Sequence, residues 1–142
     1  MDASSAFPRL RQVVLDTPNV RQLAEFYREL LGYAYRNGDE PPADGQPDIK
    51  QWLVIRDADR TSRIAFQQVD ALPAATWPEA GVPQQLHLDL SVPSLDALNH
   101  QHQRALSLGA TLRLDRSDDQ REPLRVYADP AGHPFCIFVL PA

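Results

Sequence analysis

The sequence predicts an α+β protein of two tandem β-α-β-β-β modules, whose curved mixed sheet forms a cup with the helices outside. The main observation is a repeat: residues 12–32 read QVVLDTPNVRQLAEFYRELLG, and residues 87–109 read HLDLSVPSLDALNHQHQRALSLG. Each segment combines an alternating strand, a proline, a helix-capping residue, an amphipathic helix and a closing glycine. Further short strands follow each segment. The repeat makes Gln12 and His87 equivalent positions.

The first module opens with a strand and a helix. The strand covers residues 11–16 and has Val13 and Leu15 on one face. The opposite face carries Gln12, Val14 and Asp16. Asn19 then caps the helix, and Gln22 completes a capping-box pattern. The apolar stripe that follows at helical spacing consists of Leu23, Phe26, Tyr27, Leu30 and Leu31.

Two further strands of the first module can be located in the sequence. A loop rich in Gly, Pro and Asp over residues 37–47 separates them from the helix. The strands cover residues 51–56 and 63–69, and they are joined by a turn at residues 57–62. Alternation in the second strand places Ile64 and Phe66 on one face and Ala65 and Gln67 on the other.

The second module repeats this order after a connector rich in proline. Its first strand alternates four aliphatic residues with His87, Asp89 and Ser91, which predicts one buried and one polar face. Ser94 caps the second helix. A third strand, or its start, covers residues 111–114. The last two strands, residues 124–128 and 134–139, form a hairpin. The predicted boundaries are a tail at 1–8 and one domain at 9–142, with module one at 9–69, a connector at 70–83 and module two at 84–140.

Composition excludes several classes of partner and compartment. The 142 residues carry a net charge of −5 and contain no basic patch, so we expect no nucleic-acid partner. No apolar run reaches the length of a membrane span, and the N-terminus does not resemble a signal peptide. Cys136 is the only cysteine, which excludes an internal disulfide. We expect a cytoplasmic bacterial protein without a membrane partner.

Four segments resemble the glyoxalase / bleomycin-resistance / extradiol-dioxygenase superfamily, known as the vicinal oxygen chelate fold. They are NVRQLAEFYRELLG at 19–32, HLDLSVPSLD at 87–96, LGA at 108–110 and DPAGHPFCIF at 129–138. Their order and spacing cover nearly the whole chain, and they are similar above all to glyoxalase-like proteins of actinobacteria. The resemblance implies a small-molecule ligand and a homodimer. The cup closes either within one chain or across the dimer.

The resemblance also assigns four inward positions that hold a divalent metal in the metal-dependent members. They correspond to Gln12, Gln67, His87 and Cys136 in this sequence. Gln12 and His87 suit that role, whereas Gln67 and Cys136 replace the usual glutamates. A hard cation prefers anionic oxygen ligands, so a divalent metal is possible here but is not favoured.

The candidate ligand-binding residues lie on the predicted polar faces and beside them. His87 and Asp89 share one strand face, roughly 7 Å apart along the strand, and are the candidate catalytic pair. His87 would act as a general base, and Asp89 would orient it or bind a donor group. Gln12, Gln67, Cys136 and Trp52 complete the candidate ligand site, with Trp52 either in the core or in the pocket wall. Trp77 either fills a gap or covers the cleft.

Three functions remain open at this point. The first is a protein that binds an antibiotic or a metabolite without the standard catalytic metal set, which the loss of both glutamates favours. The second is a metal-dependent lyase, isomerase or dioxygenase, which the retained Gln12 and His87 favour. The third is an interaction module with a vestigial site. Whether the protein is an enzyme, and which cofactor it uses, is not determined by the sequence.

Overall fold

The computed structural model describes residues 7–141 as two four-stranded mixed sheets with one helix each. Residues 1–6 of the predicted tail and Ala142 lie outside the described range. The elements in chain order are β1 (Val13–Thr17), α1 (Val20–Leu31), β2 (Ala34–Tyr35), β3 (Trp52–Arg56), β4 (Arg63–Gln68), β5 (Leu88–Val92), α2 (Leu95–Leu108), β6 (Thr111–Arg116), β7 (Leu124–Ala128) and β8 (Pro134–Val139).

The two modules have the same strand topology. The first sheet has the order β1-β4-β3-β2, and the second has the order β5-β8-β7-β6. In each module the first strand pairs in parallel with the last strand, and the other neighbours are antiparallel. The predicted α+β fold of two tandem β-α-β-β-β modules is therefore confirmed.

Strand register separates a helix face from a polar face in each sheet. In the first sheet, Leu15 pairs with Phe66, and both side chains are buried under α1. In the second sheet, Leu88 pairs with Phe135 on the face that packs against the core. The residues between these positions point to the opposite face, because successive side chains of a strand alternate. The sequence alternation therefore assigns the faces correctly.

Both helices begin and end where the sequence predicts. The Asn19 Oδ1 atom accepts a hydrogen bond from the Gln22 main-chain N–H at 3.2 Å, and Ser94 Oγ accepts one from Ala97 at 3.1 Å. These caps satisfy N–H groups that have no partner within the helix. Helix α1 ends at Gly32, and α2 ends at Gly109.

Tyr27 on α1 connects the two modules through the core. Its fully buried ring is stacked on Phe66 of the first sheet and contacts Phe135 of the second sheet edge-on. The Tyr27 hydroxyl donates a 2.7 Å hydrogen bond to Asp129 in the turn between β7 and β8. This single helix position thus fixes the second hairpin against the first module, which sets the relative placement of the two polar faces.

Candidate functional site

Three side chains of the second module that have metal-coordinating atoms lie together on its polar face. Asp89 on β5 pairs in register with Cys136 on β8, and His87 precedes Asp89 by two residues on the same face. His87 Nε2 lies 3.2 Å from Asp89 Oδ1. One donor atom from each of the three residues lies within 4.8 Å of the other two. This group is called the His87 cluster below and consists of His87, Asp89 and Cys136.

The Cys136 thiol is the buried member of the cluster. Burial, with further contributions from the negative charges of Asp89 and Glu122, raises the pKa of Cys136 to about 11. The thiol is therefore protonated at neutral pH, and it is not a nucleophile in the absence of a cation. His87 and Asp89 are both exposed, so a ligand can reach them from solvent.

The connector between the modules forms one wall of this site. The Trp77 indole is stacked on the His87 imidazole, with ring centroids 5.3 Å apart and an angle of 12° between the planes. The main-chain oxygen of Thr76 accepts a 2.8 Å hydrogen bond from Arg113 on β6. At Gly132 an added Cβ would lie 2.9 Å from the Cα atom of Ala74 and nearer still to its Cβ. The connector is thus packed across the second sheet.

The candidate residues of the first module lie on the other sheet. Gln67 pairs with Trp52 on β3 and with Asp16 on β1, on the face away from α1. Its neighbour Gln68 is on the helix face, where its side chain accepts a 3.0 Å hydrogen bond from the Val20 N–H. Buried Gln12 Oε1 accepts no hydrogen bond from any residue in the range 7–141. The resemblance places Gln12, Gln67, His87 and Cys136 around one inward site, and this convergence of the two modules stays a prediction.

A separate cavity of about 230 Å³ lies between the two modules. It is bounded by β1, by the connector and by the turn that leads into β8. Its apolar wall is formed by Val14, Leu72, Pro73, Pro83, Leu86 and Pro134. None of the three residues of the His87 cluster lines this cavity, although Leu86 and Pro134 on its wall lie one residue before His87 and two residues before Cys136 in the chain.

Sequence reasoning did not identify the contacts that the connector makes. The stacking of Trp77 on His87 and the close approach of Ala74 to Gly132 join segments far apart in the chain. A contact outside the connector was also not identified: His133, in the turn between β7 and β8, donates a 2.6 Å hydrogen bond from Nε2 to the main-chain oxygen of Asp16. The only local signal was the concentration of prolines and Trp77 in one polar-poor segment.

The two β-α-β-β-β modules, each with the same strand order, define a protein of the vicinal oxygen chelate class. The chain belongs to the family described as the glyoxalase-like domain, whose model matches residues 12–138. The predicted superfamily is therefore confirmed. A comparison with curated proteins found no match.

Solved structures share the fold at low sequence identity. A glyoxalase/bleomycin resistance protein/dioxygenase family enzyme from Burkholderia phytofirmans PsJN is 16% identical, with a TM-score of 0.66, over 91% of this chain and 96% of that one. The fosfomycin resistance protein FosX from Listeria monocytogenes, in complex with Mn(II) and 1S,2S-dihydroxypropylphosphonic acid, is 14% identical, with a TM-score of 0.67, over 94% and 93% of the two chains. A hypothetical protein from S. aureus is 13% identical, with a TM-score of 0.67, over 95% and 100%. These likenesses support the fold alone.

A membrane-spanning helix is not found within residues 7–141. Neither α1 nor α2 is long and apolar enough to cross a bilayer.

Proposed function

We propose that this protein binds a small organic molecule at the His87 cluster and does not use the four-donor metal set of its superfamily. The observation that carries the proposal is the 3.2 Å contact of His87 with Asp89 beside a protonated thiol and against the Trp77 indole. A few polar groups next to apolar and aromatic surface are typical of small-molecule sites. In this site His87 and Asp89 recognise polar atoms of the ligand, and Trp77 contacts its apolar part.

The donor chemistry at the four superfamily positions supports this choice. Gln12 and Gln67 are neutral amides, and His87 is an imidazole. Burial keeps the Cys136 thiol protonated by raising its pKa to about 11. A set with no anionic oxygen does not fit a hard cation such as Mg²⁺ or Mn²⁺.

A thermal-shift screen of aromatic antibiotics and metabolites tests the proposal. A ligand of this site raises the melting temperature of the wild-type protein and of His100→Ala, whose histidine is exposed on α2. The same compound has no effect on His87→Ala or Asp89→Asn. Stabilisation that persists in both cluster variants would contradict the proposed site.

A second candidate is a metal-dependent enzyme that uses Asp89 as a ligand. The three donor types of the His87 cluster fit Zn²⁺, because imidazole, carboxylate and thiolate are its usual ligands in proteins. His87, Asp89 and Cys136 would hold the ion, which would supply Lewis-acid chemistry to a bound substrate. Asp89 provides the negative charge that the four superfamily positions lack.

Metal analysis separates the two candidates. If the protein binds only an organic ligand, purification without chelator yields no stoichiometric metal, and added Zn²⁺ leaves the melting temperature unchanged. If the cluster is a metal site, Zn²⁺ stabilises the wild-type protein, and Asp89→Asn loses this effect while His100→Ala retains it.

We also propose that the protein is a homodimer. The support is the resemblance of the four sequence segments to that superfamily. Light scattering measures the mass in solution. Mixed oligomers of Gln67→Ala and His87→Ala chains then test whether one site takes residues from two copies, since such mixtures regain ligand binding only in that case.

A further inference from the structure

We infer that the cavity between the modules is a binding site for a small organic amine, distinct from the His87 cluster. This inference does not depend on the proposed function. The cavity measures about 230 Å³ and opens between β1, the connector and the start of β8. That volume holds a single ring with a short side chain. None of the three residues of the His87 cluster lines it.

The walls of the cavity select an apolar body. Valine, leucine and proline residues form most of its lining, including Val14 on β1 and Leu86, which precedes β5. Val14 and Leu86 are both exposed large apolar residues in the absence of a ligand, at 37% and 42%. Covering such surface stabilises a complex by about 25 cal/mol per Å².

Asp16 is the only acidic residue among those that line the cavity, and its side chain lies on the same face of β1 as that of Val14. No Arg or Lys lines the cavity. Within residues 7–141, the Asp16 carboxylate forms neither a hydrogen bond nor an ion pair. The other aspartates of that range that have no partner are all exposed, namely Asp44, Asp59, Asp70, Asp96 and Asp118. Asp16 is also only partly exposed, so the carboxylate is available but incompletely hydrated.

His133, the other titratable side chain on the wall, is already engaged. Its Nε2–H donates to the main-chain oxygen of Asp16 at 2.6 Å, which orients the imidazole edge toward the backbone and leaves the carboxylate unpaired. The Asp16 carboxylate can therefore accept hydrogen bonds from a ligand ammonium group. A carboxylate ligand would meet the same negative charge and be repelled.

Three ligands of matched shape test the charge preference: 2-phenylethylamine, 2-phenylethanol and 3-phenylpropionate. Calorimetry should show that the amine binds about tenfold more tightly than the alcohol, as expected for one charge-assisted hydrogen bond. The carboxylate should bind most weakly. Added salt should weaken the amine and leave the alcohol unchanged.

Two isosteric variants locate the site. Asp16→Asn should reduce amine affinity to the level of the alcohol, while Asp89→Asn should leave the preference intact. Circular dichroism confirms that each variant is folded. The inference is wrong if none of the three compounds binds at millimolar concentration, or if the amine preference persists in Asp16→Asn. Loss of the preference in Asp89→Asn alone would place the amine at the His87 cluster instead. That result would overturn this inference and leave the proposed function standing.

Discussion

Replacement of Gly132 by alanine tests whether the connector is packed on the second module. Gly132 lies in the turn between β7 and β8, with a φ of +95°. A Cβ at this position would lie 2.9 Å from Ala74 Cα and in closer conflict with Ala74 Cβ. Real Cβ atoms do not approach other atoms so closely, so Gly132→Ala must displace the connector or the turn.

The expected cost has two parts, and a second glycine separates them. Gly38 has the same φ of +95°, but no atom lies within 4 Å of an added Cβ there. Gly38→Ala therefore measures the backbone cost of placing alanine in a left-handed conformation, about 1–2 kcal/mol. Part of this cost is offset because alanine lowers the conformational entropy of the unfolded chain. Gly132→Ala adds the steric cost of overpacking, about 1–3 kcal/mol. The difference between the two variants reports the contact with Ala74.

Urea unfolding followed by circular dichroism gives both free energies of unfolding. The double variant Ala74→Gly/Gly132→Ala removes the Cβ with which the conflict is greatest, so it should recover part of the steric loss and show a favourable coupling. If Gly132→Ala is destabilised no more than Gly38→Ala, the connector is not packed against this turn. In that case the claim that the connector places Trp77 as a wall of the His87 cluster would also be wrong.

Two further predictions concern the buried polar groups. Asp89→Asn should increase the rate at which iodoacetamide alkylates Cys136 several-fold near pH 8, because removing the carboxylate charge lowers the thiol pKa. An unchanged alkylation rate would show that Asp89 does not act on the thiol. Tyr27→Phe should lower the free energy of unfolding by about 2 kcal/mol, because buried Asp129 loses a hydrogen bond. Tyr33→Phe, which removes an exposed hydroxyl contact, should cost less than about 0.5 kcal/mol by the same urea measurement. Equal effects of the two tyrosine variants would contradict the assigned role of Tyr27.

The fold was predictable because its signals are local. Alternation along β5 and the caps at Asn19 and Ser94 depend on neighbours a few residues away. The predicted β-α-β-β-β order includes a strand between α1 and β3, but the residues of that strand, only Ala34 and Tyr35 in β2, were not located from the sequence. It exists because it pairs with β3 across a long loop, and two residues carry no periodicity of their own. The irregular register between Leu112 and Leu114 in β6 likewise depends on its partner strand.

The candidate site was predictable only within single strands. Alternation alone placed His87 and Asp89 on one face, and the structure shows them 3.2 Å apart at their polar atoms. Cys136 joins them through the register of β5 with β8, more than forty residues away, which local patterns do not encode. The contact of Trp77 with His87 could be predicted only from the path of the connector in three dimensions. Proline content indicated a connector but not the surface on which it lies.

The two candidate functions of the His87 cluster differ by the location of one proton. As an organic-ligand site, the cluster keeps the Cys136 thiol protonated, and the Asp89 carboxylate reinforces that state. As a zinc site, it must release the thiol proton, so Zn²⁺ affinity would rise steeply with pH. The Asp89 carboxylate acts in opposite directions in these two cases, since it disfavours a free thiolate but attracts a cation. In metal-free protein, Asp89→Asn consequently raises thiol reactivity in both cases, yet it abolishes zinc stabilisation only if the cluster is a metal site.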